Sequence, residues 1–163
     1  MAFLTLLTFY NILCLSLCRK GPVKKFTIEN CTNIVITGGV QGLGKALALE
    51  FAVRNEIGSV NLIIIDIRED LACEMMTEIS KAVVNGGKKF KYVNFYKCNI
   101  AHKEEIERVW NEIVEKYGDV HILVNNAARA IGKSVESMNI DQFKLTMDIN
   151  FNSYVHFTML FMK

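Results

Sequence analysis

The sequence predicts an α/β protein built on a doubly wound parallel sheet, truncated after about four strands and preceded by an N-terminal hydrophobic helix. Three observations carry that expectation. From Cys31 onward, short apolar strands alternate with longer stretches of helical periodicity. One strand, Val60 to Ile65 (VNLIII), is nearly all apolar, as a central parallel strand is when helices cover both of its faces. The first strand runs straight into a glycine-rich turn that opens a helix. The resulting order, β-α-β-α-β-α-β-α, calls for parallel strands joined by right-handed crossovers.

Each element follows from its residues. Asn33 to Thr37 (NIVIT) is a buried strand, and Lys45 to Asn55 (KALALEFAVRN) places apolar residues at helical spacing. After the second strand, Glu69 to Val84 forms a helix with Leu71, Met75, Ile79 and Val83 as its stripe. Asn85-Gly86-Gly87 closes it, glycine supplying the left-handed conformation. Phe90 to Tyr96 (FKYVNFY) is the third strand. His102 to Tyr117 is the third helix, with Ile106, Val109, Trp110, Ile113 and Val114 on its apolar face. Val120 to Val124 (VHILV) is the fourth strand, and Asp141 to Met162 reads as one final helix rich in Phe, Met and Leu.

Composition narrows the function classes. The 163 residues suit one domain, and 51% apolar with 22% charged residues describes a folded globular chain. A formal net charge of +2 from dispersed basic residues gives no footing for a nucleic-acid partner. The five cysteines show no CxxC, and no histidine cluster completes a metal site, so no metal is expected. Reduced, mostly buried thiols in a cytosol-facing protein are the simpler reading. His102, His121 and His156 are scattered.

Residues 1–18 (MAFLTLLTFYNILCLSLC) carry no charge and are followed at once by Arg19, Lys20, Lys24 and Lys25. The run sits at the lower length limit for spanning a bilayer. A secretory signal carries positive charge before its apolar stretch, and here the charge follows it. That asymmetry favours a membrane anchor with the domain on the cytosolic side, at the endoplasmic reticulum or a lipid droplet. Secretion through a cleaved signal is the rival. The expected organisation is an anchor or signal-like segment over 1–18, a basic linker over 19–30 containing the Gly21-Pro22 break, and the α/β domain over 31–163.

The turn Gly38-Gly39-Val40-Gln41-Gly42-Leu43-Gly44 has a specific physical use. Glycines let the backbone approach a pyrophosphate, and the helix that follows offers unpaired N–H groups and the positive end of its dipole. Gly44 allows close packing of helix on strand. Asp66 ends the next strand, where an acid accepts hydrogen bonds from both ribose hydroxyls of adenosine and repels a 2′-phosphate. The plainer alternative for Asp66 is a solvated strand-end residue capping the next helix. Arg68 is near enough to meet a 2′-phosphate, and Gln41 adds no charge. The cofactor expected is NAD, with NADP the alternative.

These residues match a family pattern. Thr37-Gly38-x-x-x-Gly42-x-Gly44 resembles the TGxxxGxG fingerprint of short-chain dehydrogenases/reductases, and Asn125-Asn126-Ala127-Ala128 resembles their NNAG motif with alanine in the last place. Cys98-Asn99-Ile100 stands where the family has an acid contacting adenine, with Asn99 in its position. Asn150 in Asp148-Ile149-Asn150-Phe151 matches the helix asparagine of the catalytic tetrad. The resemblance covers Cys31 to Lys163. It implies a Rossmann-like domain and hydride transfer between an alcohol or ketone and NAD(P). The cofactor contacts it implies are Thr37, Gly38, Gln41, Gly42, Leu43, Gly44, Asp66, Ile67, Asn99, Ile100, Asn126, Ala127 and Ala128. The catalytic residue it implies is Asn150, as part of a water-mediated proton relay. Two structural alternatives stay open: Asn125 and Asn126 pinning the strand end, and Asn150 as a satisfied buried amide.

The rest of the family's tetrad is a serine and a YxxxK pair, whose lysine lowers the tyrosine pKa by its charge. None of Tyr10, Tyr92, Tyr96, Tyr117 and Tyr154 is followed by lysine four positions on. Ser153 and Tyr154 adjoin Asn150 on the wrong element for those roles. Two functions are therefore expected. One is the first part of a membrane-anchored dehydrogenase acting on a small lipophilic alcohol or carbonyl compound, with homo-oligomerisation compatible. The other is a catalytically inactive, truncated product that binds nucleotide or dimerises.

Overall fold

The structure, a computed structural model, describes residues 33–54, 60–85, 92–132 and 135–163. The expected anchor over 1–18, the linker over 19–30 and the closing glycines Gly86 and Gly87 lie outside the described residues. Among the described residues, no helix is long and apolar enough to cross a membrane.

Strand β1 (Asn33–Thr37) leads into helix α1 (Gly42–Arg54), then β2 (Asn61–Asp66), a 3-10 turn (Glu69–Leu71) and α2 (Ala72–Asn85). There follow β3 (Tyr92–Lys97), α3 (Lys103–Tyr117) and β4 (Ile122–Val124). A second 3-10 turn (Val135–Ser137) precedes α4 (Ile140–Met147), which runs through a π turn (Asp148–Asn152) into α5 (Ser153–Phe161). The sheet order is β3-β2-β1-β4, all parallel, with Thr37 opposite Ile65 and Asp66 opposite Lys97. The expected parallel α/β sheet is therefore what forms.

Alternation along the central strands divides the core in two. Ile34, Ile36, Leu62 and Ile64 pack with Ala48, Ala52, Met75, Ile79 and Val83 of α1 and α2 on one face. Val35, Ile63, Ile65 and Leu123 pack with Ile106, Val109, Trp110 and Ile113 of α3 and Phe157 of α5 on the other. Leu62 to Ile65 are wholly buried, each worth roughly 1.5–3 kcal/mol relative to exposure. An acid at Ile64 would place an unpaired charge between two layers and undo the sheet. Helix α3 shows how sequence writes such an element: its buried residues recur at helical spacing, Glu104 and Glu105 meet the positive end of its dipole, and Gly118 at φ +79° ends it.

Several expectations change. The first helix begins at Gly42 rather than Lys45, the fourth strand spans Ile122–Val124 rather than Val120 to Val124, and Val114 is exposed rather than on the apolar face of its helix. The helix expected from Glu69 begins as a 3-10 turn, because Arg68 N–H is bonded to the Asp66 carboxylate (3.0 Å) and Leu71 N–H to Arg68 C=O (3.3 Å), which tightens the first turn. The single helix expected over Asp141 to Met162 starts one residue earlier and is broken by the π turn. Its start is fixed by a capping box: Gln142 N–H donates to the Asn139 side chain (2.8 Å), and Gln142 answers the Asn139 N–H.

Candidate functional site

The carboxyl ends of β1, β2 and β4 converge on the glycine turn. Thr37, fully buried at the end of β1, places its hydroxyl oxygen where it accepts the N–H groups of Asn126 (3.0 Å) and Ala127 (3.1 Å). The Asn126 amide returns across the gap, donating to the carbonyls of Thr37 (3.1 Å) and Gly38 (3.0 Å). Gly38 adopts φ +68°, and a Cβ there would stand 2.6 Å from Ala127 Cα. A Cβ on Gly44 would strike Gly38 O and approach Asn126 Nδ2 to 2.5 Å. Turn, helix start and NNAA loop are thus packed backbone to backbone.

Gly42 differs from its neighbours. It has φ +57°, and a Cβ built on it would meet nothing within 4 Å. Its missing side chain therefore leaves an open rim at the N-terminus of the 13-residue α1, where the first-turn N–H groups have no intrahelical partners. Leu43 (58% exposed), next in the chain after Gly42, and Ile67 (55% exposed), next to Asp66, are exposed apolar residues. An open rim, a helix N-terminus and exposed apolar residues fit the pyrophosphate and adenosine of a dinucleotide.

Asp66 is buried rather than solvated at its strand end. One carboxylate oxygen accepts Val40 N–H (3.3 Å) from the glycine turn and the other accepts Arg68 N–H (3.0 Å). Each oxygen keeps a further lone pair, so the acid is fixed by the turn and still able to accept. Cys98 N–H bonds to Asp66 C=O (3.0 Å), bringing Asn99 and Ile100 alongside. The Asn99 amide oxygen accepts Ala101 N–H (3.2 Å), and Glu105 accepts the Asn99 N–H (2.8 Å). Ile100 is buried in the core. Gln41 and Ala128 are exposed. Ala128 carries no strain, since no non-glycine residue among those described has positive φ.

Asn150 reaches the NNAA loop from the π turn. Its amide brackets Arg129, accepting the N–H and donating to the C=O, both at 2.8 Å. One helical turn on, Tyr154 OH donates to Ala127 O (2.8 Å), and burial pushes the Tyr154 pKa up to about 12. Asn125 is bonded through its amide nitrogen to Tyr154 O (3.4 Å) and Thr158 Oγ1 (3.3 Å), while its oxygen is buried without a partner. The sequence signals nothing of Tyr154 and Glu105 in these roles, because both contacts are made by the tertiary fold. Cys98 is buried but Cys73 is exposed, so the expectation of buried thiols holds for one of these two. Among the described residues, no group of three or more His, Cys, Asp or Glu side chains is placed to hold a metal ion.

Fold and site together define a doubly wound α/β protein with a glycine-rich turn at its strand ends, open at Gly42. The family model for short chain dehydrogenase matches residues 32–163, and the chain belongs to that family. Epidermal retinol dehydrogenase 2 of Homo sapiens is 32% identical over 125 residues, 75% of this chain and 36% of that protein. The chain therefore spans about a third of the length of this relative. Among solved structures, a metagenomic short-chain oxidoreductase in complex with NADP superposes with a TM-score of 0.68 at 18% identity, covering 80% of this chain and 55% of the other. An NADH-dependent reductase complexed with NAD superposes at 0.66 with 23% identity, covering 80% and 50%. Those two likenesses establish the fold.

Proposed function

We propose that this chain is the nucleotide-binding portion of an NAD(P)-dependent oxidoreductase that interconverts lipophilic alcohols and carbonyl compounds, with NAD as its preferred cofactor. The observation that carries the reading is the pairing of the open Gly42 rim with the buried Asp66 carboxylate, joined by the Val40 N–H bond. The family membership supports the reaction class, and the structures complexed with NADP and with NAD support the cofactor. The retinol dehydrogenase relative supports a lipophilic alcohol.

Bound NAD(P) supplies the hydride acceptor or donor. The chain's own residues bind and orient. Gln41, Gly42, Leu43 and Gly44 present the helix N-terminus to the pyrophosphate, and Thr37, Gly38 and Asn126 hold that turn in shape. Asp66 and Ile67 take the adenosine ribose, and the Asn99–Ile100 corner borders the adenine. Ala127 and Ala128 line the approach to the nicotinamide. Asn150 holds the loop carrying them through Arg129. A YxxxK pair is not present in the 163 residues, so this chain alone is expected to bind nucleotide without turning over alcohol. The uncharged run 1–18 followed by basic residues supports anchoring to a cytosol-facing membrane.

Isothermal titration with NAD tests the reading, using wild type beside Asp66→Ala and Gly42→Val. Both variants should lose most of the binding heat. Equal heats from all three would overturn the assignment.

A further inference from the structure

Two cations flank Asp66, and neither is free. Arg68 lies two residues on, its N–H bonded to the Asp66 carboxylate (3.0 Å). Lys97 stands directly opposite Asp66 in the β2–β3 register. The 3-10 turn between them supplies an acid for each. Arg68 forks onto Asp70, with Nε to Oδ1 at 2.9 Å and Nη2 to Oδ2 at 2.8 Å. Lys97 Nζ meets Glu69 Oε2 at 2.9 Å. Asp66, Arg68 and Lys97 sum to one net positive charge; with Glu69 and Asp70 the five sum to one net negative charge, and Glu105 acts on Lys97 in the same sense. A phosphate dianion entering here would meet neutralised cations and an unopposed carboxylate.

We propose that Glu69 and Asp70 are positioning residues that hold Lys97 and Arg68 in ion pairs beside Asp66, so that the corner discriminates against a nucleotide bearing a 2′-phosphate. This rests on the nucleotide-binding reading above and adds a second layer of selectivity to Asp66 itself. The fork on Asp70 occupies the guanidinium edge that would otherwise grip a phosphate in bidentate fashion. All four side chains are about half exposed or more, and exposed pairs are individually weak, so removing the acids releases the cations without disturbing the core.

The test measures the affinities of the full chain for NAD and NADP by isothermal titration. Wild type is set beside Glu69→Gln/Asp70→Asn, and beside the same pair combined with Arg68→Ala and Lys97→Ala. The isosteric amides should tighten NADP by about tenfold, the scale of one new charge-assisted hydrogen bond to phosphate, and leave NAD within about twofold. The gain should shrink at high salt and vanish when the two cations are also removed. An unchanged NADP-to-NAD ratio in the amide variant, or a gain that persists without Arg68 and Lys97, would overturn the proposal. NAD binding with no change in selectivity defeats the proposal alone. Failure of every form to bind either nucleotide defeats the site assignment and the proposal with it.

Discussion

Gly42 and Gly44, one residue between them, should respond to alanine for different reasons and to different degrees. At Gly44 the new methyl collides with the Gly38 carbonyl and comes within 2.5 Å of Asn126 Nδ2, the atom that bonds the carbonyls of Thr37 and Gly38. Overpacking of this kind costs about 1–3 kcal/mol, and loosening two part-buried hydrogen bonds adds about 0.5–1.5 kcal/mol each. Better helix propensity returns about 1 kcal/mol, leaving a net loss of roughly 1–5 kcal/mol, centred on about 3. At Gly42 there is no collision, and the cost is the left-handed backbone alone, about 1–2 kcal/mol. Urea unfolding followed through the fluorescence of buried Trp110 reads both. With a slope of about 1–3 kcal/mol per molar, Gly44→Ala should lower the midpoint by about 1–2 M, and Gly42→Ala by clearly less. Nucleotide titration should invert the order relative to stability: Gly42→Ala stays folded yet loses at least about tenfold in NAD affinity, because its methyl fills the rim a phosphate must approach. A Gly44→Ala protein as stable as wild type would refute the packing argument. Undiminished NAD affinity in Gly42→Ala would refute the role of the rim.

Three further outcomes are expected. Thr37→Val keeps the shape of a fully buried side chain but strips the Asn126 and Ala127 N–H groups of their acceptor, costing about 2–4 kcal/mol in urea unfolding, whereas Thr37→Ser should recover most of it. Asn150→Ala should cost about 1 kcal/mol and speed amide exchange at Arg129 with little effect elsewhere; unchanged exchange there would count against the bracket. Alkali should destabilise the fold. Burial pushes the Cys98 thiol from 9.0 up to about 12, so above pH 9 the unfolded chain releases a proton that the folded chain keeps. Stability from this group is intact below pH 9 and falls by about 2 kcal/mol by pH 10.5, with burial of Tyr96 and Tyr154 adding to the loss above pH 10. A Cys98→Ala variant should flatten the first part of that decline; an identical pH profile would exclude the thiol as its source.

The central sheet was legible because parallel strands covered on both faces must be apolar: NIVIT coincides with β1, and VNLIII overlaps β2 in all but its last residue, Asp66. The glycine turn was legible for a different reason, since strand, turn and helix lie contiguous in sequence. What escaped were contacts between elements distant in the chain. Tyr154 on Ala127 and Glu105 on Asn99 depend on helices folding back over strand ends, and no local period announces them. The ion pair of Arg68 with Asp70 is local, yet its geometry required the 3-10 turn, which a helical stripe from Leu71 onward conceals.

The π turn in the last helix has an effect on rotational phase. On an ideal helix each residue advances about 100°, so positions four apart drift by about 40° per step. Phe143, Met147, Phe151, Val155 and Met159 follow one another at spacing four, and ideal geometry would fan them over about 160°. Yet all five are exposed, while Phe157 turns inward against Trp110 with ring centroids 6.2 Å apart. The wide turn over Asp148–Asn152 absorbs about one residue of rotation, which narrows that fan to about 60°. The extra residue works as a phase corrector: it keeps a four-residue repeat on one side of a helix that would otherwise wind it out of line.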